Sequence, residues 1–201
     1  MLANNLDFLD ELSRSKVAKV FGDDALLETT TDSTTVFSGR VFSAEVMDVA
    51  LSDGRAAKRE IVRHNGGAAI VPIDDQQNVY LVRQFRSPFD KVLIEIPAGK
   101  LEINENPKDC AERELREETG LLADKIDDLG EILPSPGYCS EVLYLYMATG
   151  LRQGPTDPDD GEIVHVVKYP LSDVLAMIDS GTISDAKTVV AILKAARRLN
   201  L

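Results

Sequence analysis

The sequence has no tryptophan, only two cysteines, and fewer basic than acidic residues. Two cysteines, Cys110 and Cys139, are too few for a disulfide framework. Twenty-two Lys and Arg against 34 Asp and Glu give a formal net charge of −12. This balance argues against a dedicated nucleic-acid binder, because phosphate backbones are bound by basic surface. An anionic small-molecule substrate is compatible with it if a metal ion and a few arginines compensate the charge.

The chain also lacks any apolar run that approaches the ~20 residues needed to span a membrane. Its first residues, Met-Leu-Ala-Asn-Asn-Leu-Asp, have neither the basic nor the apolar region of a secretion signal. We therefore expect a cytoplasmic protein with no membrane partner. With 201 residues, 44% of them hydrophobic, the chain is long enough for one full domain with a sizeable core.

Hydrophobic spacing predicts a short amphipathic helix over residues 4–20, followed by a polar stretch at 28–35 that suits a linker or the start of a strand. Residues 36–62 have the pattern of strands, with Asp53-Gly54 as a hairpin turn. After Gly66-Gly67, strands are expected at 68–73, 79–83, 92–96, 128–133, 141–148 and 163–168, and helices at 107–119, 171–180 and 185–199. The predicted class is α+β, with a layered α/β/α domain, and the strands before residue 62 are expected to form a small separate sheet.

The helix at 107–119 is the clearest in the chain, because Asn106 suits its N-cap and Gly120 its C-terminal exit. Glu114 and Glu118 lie four residues apart on one helical face, and Glu117 flanks them. Such neighbouring carboxylates repel one another unless a hard cation such as Mg²⁺, Mn²⁺ or Ca²⁺ lies between them. The alternative for the helix alone is a solvated surface with Glu/Arg pairs.

The segment around this helix decides between the two interpretations. The sequence has Gly99, five residues, Glu105, seven residues, Arg113-Glu114-Leu115, one residue, Glu117-Glu118, one residue, and Gly120-Leu121. Every fixed position of the Nudix box is filled, so the chain resembles the Nudix hydrolase superfamily. The resemblance implies a mixed sheet in an α/β/α sandwich, and cleavage of a diphosphate linked to another moiety with Mg²⁺ or Mn²⁺.

The resemblance also assigns roles to the residues of the box. Glu114, Glu117 and Glu118 would be metal ligands, with the carbonyl of Ala98 as a further ligand. The bracing positions would be Gly99, Glu105, Arg113 and Gly120, and the core anchors would be Leu115 and Leu121.

A second segment resembles one branch of the superfamily, the ADP-ribose pyrophosphatases. It reads Ser135-Pro136-Gly137-Tyr138-Cys139-Ser140-Glu141, and its alternative interpretation is an ordinary Pro-Gly turn. The resemblance implies that Glu141 faces the ribose or phosphate of the substrate. The backbone around Gly137, Tyr138 and Cys139 would line the pocket.

Two basic stretches, Arg83-Gln84-Phe85-Arg86 and Lys58-Arg59-Glu60-Ile61-Val62, resemble the same branch. Arg83 and Arg86 point to opposite faces of a regular strand, so both cannot reach one diphosphate, and we choose Arg83. Arg59 is the second candidate for a phosphate or ribose contact. Solvated surface charge is the alternative for each arginine, although a guanidinium is well suited to phosphate.

The acidic stretch 157–162 aligns with a loop that, in this branch, supplies a glutamate to activate water or complete the metal site. Glu162 is the best match and Asp160 the fallback, while a solvent loop is the alternative. The histidines, His64 and His165, are expected to be structural, and neither cysteine is expected to be a nucleophile. Three residues are left open as the aromatic that stacks on the base: Phe37, Phe42 and Tyr138.

The sequence thus predicts a divalent-metal-dependent hydrolase that cleaves ADP-ribose to AMP and ribose 5-phosphate. Two alternatives stay open: a hydrolase of another nucleoside diphosphate sugar such as GDP-mannose or ADP-glucose, and a non-catalytic ADP-ribose sensor. Residues 1–62 are expected to be an N-terminal helix and sheet that join two chains in a homodimer, as in this branch, and residues 63–201 the hydrolase domain. The first 30 residues match nothing that we can name.

Overall fold

The structure is a computed structural model, and it describes residues 23–154 and 163–201. The chain divides into two compact units, Met1–Arg63 and His64–Leu201. The helix predicted over residues 4–20 lies outside the described residues. Among the described helices, none combines the length and the apolar character that crossing a membrane requires.

The first unit contains a three-stranded sheet in the order β1-β2-β3, built from β1 (Glu28–Ser38), β2 (Phe42–Leu51) and β3 (Ala56–His64). The stretch at 28–35 is therefore a strand, antiparallel to β2, rather than a linker. The hairpin turn predicted at Asp53-Gly54 is confirmed. The N–H of Gly54 donates to the carbonyl of Leu51 at 2.9 Å, and Gly54 has φ +85°, which glycine adopts without strain.

The second unit contains seven strands and three helices within its described residues. The strands are β4 (Gly67–Pro72), β5 (Asn78–Arg86), β6 (Lys91–Glu95), β7 (Ala98–Lys100), β8 (Leu121–Ile132), β9 (Leu143–Gln153) and β10 (Val164–Pro170). The helices are α1 (Pro107–Thr119), α2 (Leu171–Asp179) and α3 (Ala186–Arg198). The four-stranded sheet β7-β4-β9-β8 is mixed, because β4 and β9 are parallel and its other pairs antiparallel. The sheet β10-β5-β6 is antiparallel.

Strand β4 runs through the centre of this unit, and its side chains from Ala68 to Val71 have 0% exposure. Alternate residues of a strand point to opposite faces. Ala69 and Val71 accordingly pack in the hydrophobic cluster that contains α2 and α3. Ala68 and Ile70 pack in the cluster that contains α1. Helices therefore cover both faces of the sheet, which confirms the predicted α/β/α sandwich.

Several observed strands are longer than predicted, since β5 continues to Arg86 and β9 to Gln153. β8 begins at Leu121 rather than near residue 128, because it pairs with β9 along its whole length from Leu121 opposite Gln153. The run at 92–96 was expected to end at Pro97-Ala98-Gly99, but the short strand β7 forms directly after Pro97 and pairs with β4, with Gly67 opposite Lys100.

Candidate active site

The helix that carries the predicted metal ligands has the caps that its sequence predicts. Oδ1 of Asn106 accepts from the N–H of Lys108 at 2.9 Å, and the N–H of Gly120, at φ +69°, donates to the carbonyl of Arg116 at 2.8 Å. Leu115 is 1% exposed and anchors the inner face of α1, as expected.

The acidic side chains of α1 reach the strand β7. The N–H of Ala98 donates to Oε2 of Glu118 at 3.0 Å. A Cβ on Gly99 would lie 1.7 Å from Oε1 of Glu114, so this carboxylate occupies the space that any other side chain at residue 99 would need. Two acids of the helix thus contact two successive residues of β7.

Arg113 links the loop before α1 to the acids of the helix. Its Nε donates to Oε1 of Glu105 at 3.0 Å, and its Nη1 donates to Glu114 at 2.6 Å and to Glu117 at 2.9 Å. The hydrogen bond from Arg113 lowers the pKa of Glu105, and the same bond, with the nearby acids, raises the pKa of Arg113. Arg113 therefore joins Glu105 to two of the predicted metal ligands, and the bracing role of Glu105 and Arg113 stays a prediction.

The acidic residues of α1 fit a hard divalent cation by their chemistry. They offer only carboxylate oxygens, the ligands that Mg²⁺ and Mn²⁺ prefer. A positive charge already lies between two of them, since Nη1 of Arg113 contacts both Glu114 and Glu117. Within residues 23–154 and 163–201, no three His, Cys, Asp or Glu side chains converge as a ready-made metal cluster. A cation would therefore share these carboxylates with Arg113 and with the amide of Ala98.

A buried ion cluster lies beside this site and was missed by the sequence interpretation. Glu95, at the end of β6, is 1% exposed, and its two oxygens accept from Nε and Nη2 of Arg86 at 2.7 and 2.8 Å. Lys187 also contacts Glu95. Burial alone would raise the pKa of Glu95, but Arg86 and Lys187 outweigh it and lower the pKa. The available signal was one acid in the apolar run Val-Leu-Ile-Glu-Ile at 92–96.

The structure separates the two arginines of β5. Arg83 is exposed, forms no ion pair among the described residues, and lies on the same strand face as Leu81, which packs with α2 and α3. Arg86 lies on the opposite face, and the acids that raise its pKa are Glu95 first and, more weakly, Glu118. The contacts therefore place Arg86, and not the chosen Arg83, beside the acids of the box.

Arg59, the second candidate, belongs to the first unit, where it forms an ion pair with Glu28. The ring centroids of Phe37 and Phe42 lie 5.3 Å apart in that unit, and Tyr138 in the second unit is 56% exposed. None of these contacts decides which aromatic stacks on the base.

The Ser-Pro-Gly segment forms a tight turn before β9. The N–H of Cys139 donates to the carbonyl of Ser135 at 2.9 Å. Oγ of Ser140 accepts from the backbone N–H of His64 at 3.0 Å, and Nδ1 of His64 lies 3.5 Å from Oε1 of Glu141. The structural role expected of His64 stays a prediction.

The same segment ends close to the box. The N–H of Gly67 donates to the carbonyl of Val142 at 3.0 Å, and Gly67 pairs with Lys100 of β7. The pocket-lining roles of Gly137, Tyr138, Cys139 and Glu141 stay predictions. The predicted base Glu162 and its fallback Asp160 lie outside the described residues.

Cys110 does not have the properties of a nucleophile. It lies on α1 with its side chain fully buried, and this burial raises the pKa of the thiol to about 12. The thiolate, which is the reactive form, is therefore almost absent near neutral pH.

Within the α/β/α sandwich, the acids of one helix meet two residues of an adjoining strand, and such a set of carboxylates can bind a hard divalent cation. A family model described as NUDIX domain matches residues 63–190. The chain belongs to the Nudix family.

Several relatives are similar over most of their length. The chain is 40% identical over 167 residues to the methanol dehydrogenase activator of Bacillus methanolicus, covering 82% of this chain and 90% of that protein. It is 39% identical over 170 residues to the ADP-ribose pyrophosphatase of Bacillus subtilis, covering 84% and 92%. It is 34% identical to the GDP-mannose pyrophosphatase of Yersinia pestis, covering 72% and 79%.

A solved structure described as an ADP compounds hydrolase shares the fold. Its TM-score is 0.77 at 22% identity, with 86% of this chain and 94% of that chain covered. The likeness agrees with the layered α+β architecture described above.

Proposed function

We propose that this protein is a divalent-metal-dependent hydrolase that cleaves the diphosphate of ADP-ribose to AMP and ribose 5-phosphate. The observation that carries the proposal is the contact of Glu114 and Glu118 with Gly99 and Ala98, next to a complete box. The 39% identity to an ADP-ribose pyrophosphatase over 84% of the chain supports the choice of substrate.

In this proposal, Glu114, Glu117, Glu118 and the carbonyl of Ala98 hold Mg²⁺ or Mn²⁺. The bound cations would activate a water and neutralise charge that develops on the phosphate. Arg113 would keep Glu114 and Glu117 oriented through its hydrogen bonds of 2.6 and 2.9 Å.

The proton of the attacking water needs a base. Glu162 is the sequence-based candidate and Asp160 the fallback. Comparing Glu162→Gln with Asp160→Asn tests this assignment: loss of turnover in the first variant alone is expected, and the opposite pattern would transfer the role to Asp160.

Hydrolysis of GDP-mannose is the second candidate, because a GDP-mannose pyrophosphatase is 34% identical over 72% of the chain. The deciding experiment compares ADP-ribose, ADP-glucose and GDP-mannose, with Mg²⁺ or Mn²⁺, in a phosphate-release assay coupled to a phosphatase. ADP-ribose is expected to have the highest kcat/KM. A higher value for GDP-mannose would transfer the function to the second candidate.

A matched pair of variants on α1 tests whether the acids of the box act in catalysis. Glu118→Gln is expected to lose more than about 100-fold in kcat, because it removes a charge from the reacting site. Glu112→Gln changes an acid on the same helix whose side chain is 54% exposed and faces Lys108, so it should keep wild-type activity. Full activity of Glu118→Gln would reject the metal assignment. Binding of ADP-ribose by wild type without hydrolysis would favour the non-catalytic sensor.

We also propose that residues 1–62 join two chains in a homodimer. All of β1 is exposed, including Val36 at 61% and Phe37 at 50%, and an exposed strand with apolar residues is a ready pairing surface. Light scattering should give twice the chain mass of 22.0 kDa. A monomer would refute this part of the proposal. The cytoplasmic location stays a prediction from the sequence.

A further inference from the structure

Arg86 is held by its buried partner in a way that leaves one of its donor groups available. Its Nε and Nη2 both bond to Glu95. Among the described residues, its Nη1 makes no hydrogen bond, and the side chain is 36% exposed. A planar guanidinium fixed along one edge presents the N–H groups of Nη1 in a defined direction, which suits recognition of a phosphate.

Glu95 is fixed in turn by the first turn of α3. Lys187 is 11% exposed and bonds to Glu95 and, at 3.0 Å, to Oδ2 of Asp185. The next residue, Thr188, is fully buried and accepts from the N–H of Ile96 at 2.9 Å. Two successive residues of α3 therefore hold Glu95, the last residue of β6, and Ile96, which follows it.

This cluster lies close to the acids of α1. Glu95 precedes Ala98 by three residues, a distance of at most about 10 Å along an extended chain, and the amide of Ala98 binds Glu118 at 3.0 Å. Arg86 lies on the strand face that also carries Tyr80, which packs against the cluster containing α1. The available edge of Arg86 is thus on the side of the Nudix helix.

We propose that Lys187 is a positioning residue, which balances Glu95 and Asp185 so that Arg86 keeps its orientation and its attraction for the diphosphate of the substrate. Arg86 and Lys187 together balance the charges of Glu95 and of Asp185, which contacts Lys187 at 3.0 Å. Without Lys187, the remaining three side chains carry one net negative charge, which repels an anion. The inference rests on the proposed function, since it requires a diphosphate at the acids of α1.

The main test compares Lys187→Met with two other variants. Lys187→Met is expected to raise the KM for ADP-ribose about tenfold, with kcat within about threefold of wild type, because attraction to the anion is lost while the acids of α1 are unchanged. Lys187→Arg should return KM to within about threefold of wild type. Lys194→Met is the matched control on the same helix, because Lys194 bonds to the carbonyl of Leu129 at 2.7 Å; its KM should not change.

A double variant separates charge from structure. Lys187→Met with Glu95→Gln removes one positive and one negative charge, so the charges of Arg86 and Asp185 again balance, as those of the four side chains do in wild type. Its KM should fall back toward the wild-type value, and it should fold even if Lys187→Met does not, because no underpaired carboxylate stays buried. A double variant with KM as high as Lys187→Met or higher would overturn the inference.

Binding of inorganic pyrophosphate with Mg²⁺, measured by calorimetry, distinguishes this inference from the proposed function. If wild type hydrolyses no ADP-ribose, the proposed function fails, and the pyrophosphate measurement still tests Lys187. We expect the Kd for pyrophosphate to rise about tenfold in Lys187→Met and to stay unchanged in Lys194→Met. Equal Kd values for wild type and Lys187→Met, or equal weakening in both lysine variants, would refute the role of Lys187.

Discussion

Replacement of Gly99 by alanine is a direct test of how the site is built. The new Cβ would lie 1.7 Å from Oε1 and 2.0 Å from Cδ of Glu114. Non-bonded carbon and oxygen atoms do not approach much below about 3 Å, so the carboxylate must move by at least about 1.3 Å. The atoms that clash are the end of a side chain, and Gly99 does not have a positive φ, so the backbone is able to keep its course.

The displacement predicts a large loss of activity and a small loss of stability. A misplacement of about 1 Å costs on the order of 100-fold in rate, so kcat should fall about 100-fold or more. The free energy of unfolding should change by no more than about 1 kcal/mol, because the clash is relieved by rotating one side chain. Initial rates with ADP-ribose and urea unfolding curves measure the two quantities.

A double-variant cycle provides the control. In Glu114→Ala the clashing carboxylate is absent, so adding Gly99→Ala should cause no further loss of activity and no loss of stability. Wild-type turnover by Gly99→Ala alone would refute the reasoning. So would an equal stability loss from Gly99→Ala with and without Glu114.

Four further outcomes are expected. Burial alone would raise the pKa of Asp74, but hydrogen bonds from Lys168 and Asn78 outweigh it and lower the pKa from 3.8 to about 2. The stability lost in Asp74→Asn should therefore be full above about pH 4 and shrink as the pH falls toward about 2. A difference in urea unfolding between wild type and Asp74→Asn that does not change with pH would contradict this. Arg113→Lys should lower the free energy of unfolding by about 2–3 kcal/mol, because an ammonium cannot replace the planar fork among partly buried carboxylates; an unchanged urea midpoint would be inconsistent with that role. Cys110 should resist alkylation in the folded protein at about pH 8 and react after unfolding, and its modification in the folded state, detected by mass spectrometry, would show that the thiol is accessible. Removing divalent ions with a chelator should abolish hydrolysis and adding Mg²⁺ or Mn²⁺ should restore it, whereas activity that survives chelation would argue against a metal-dependent reaction.

Local sequence signals predicted the elements whose ends carry recognisable cap residues. The bounds of α1 agree with the prediction because Asn106 and Gly120 are strong cap residues and a periodic apolar face lies between them. β7 was missed because three residues after a proline carry too little pattern, and its pairing with Gly67 depends on a distant strand. The polar, fully exposed β1 gives no buried face for periodicity to reveal.

The candidate site likewise has some contacts that the sequence predicted and others that depend on distant residues. The resemblance implied that Glu105 and Arg113 brace the loop against the helix, and the two side chains form an ion pair at 3.0 Å. The link from Glu95 to Lys187 joins residues 92 positions apart, and no local pattern connects them. Only the packing of α3 against the end of β6 brings these charges together.

The parallel pairing of β4 has a consequence for synthesis of the chain. Gly67 pairs with Leu143, which the ribosome adds 76 residues later. At a synthesis rate of about 5–20 residues per second, the apolar segment Ala68–Val71 is made on the order of 4–15 s before this strand. During that time its only sheet partner within the described unit is the three-residue β7. A nascent chain stopped before β9 would keep an open apolar strand and would aggregate rather than fold.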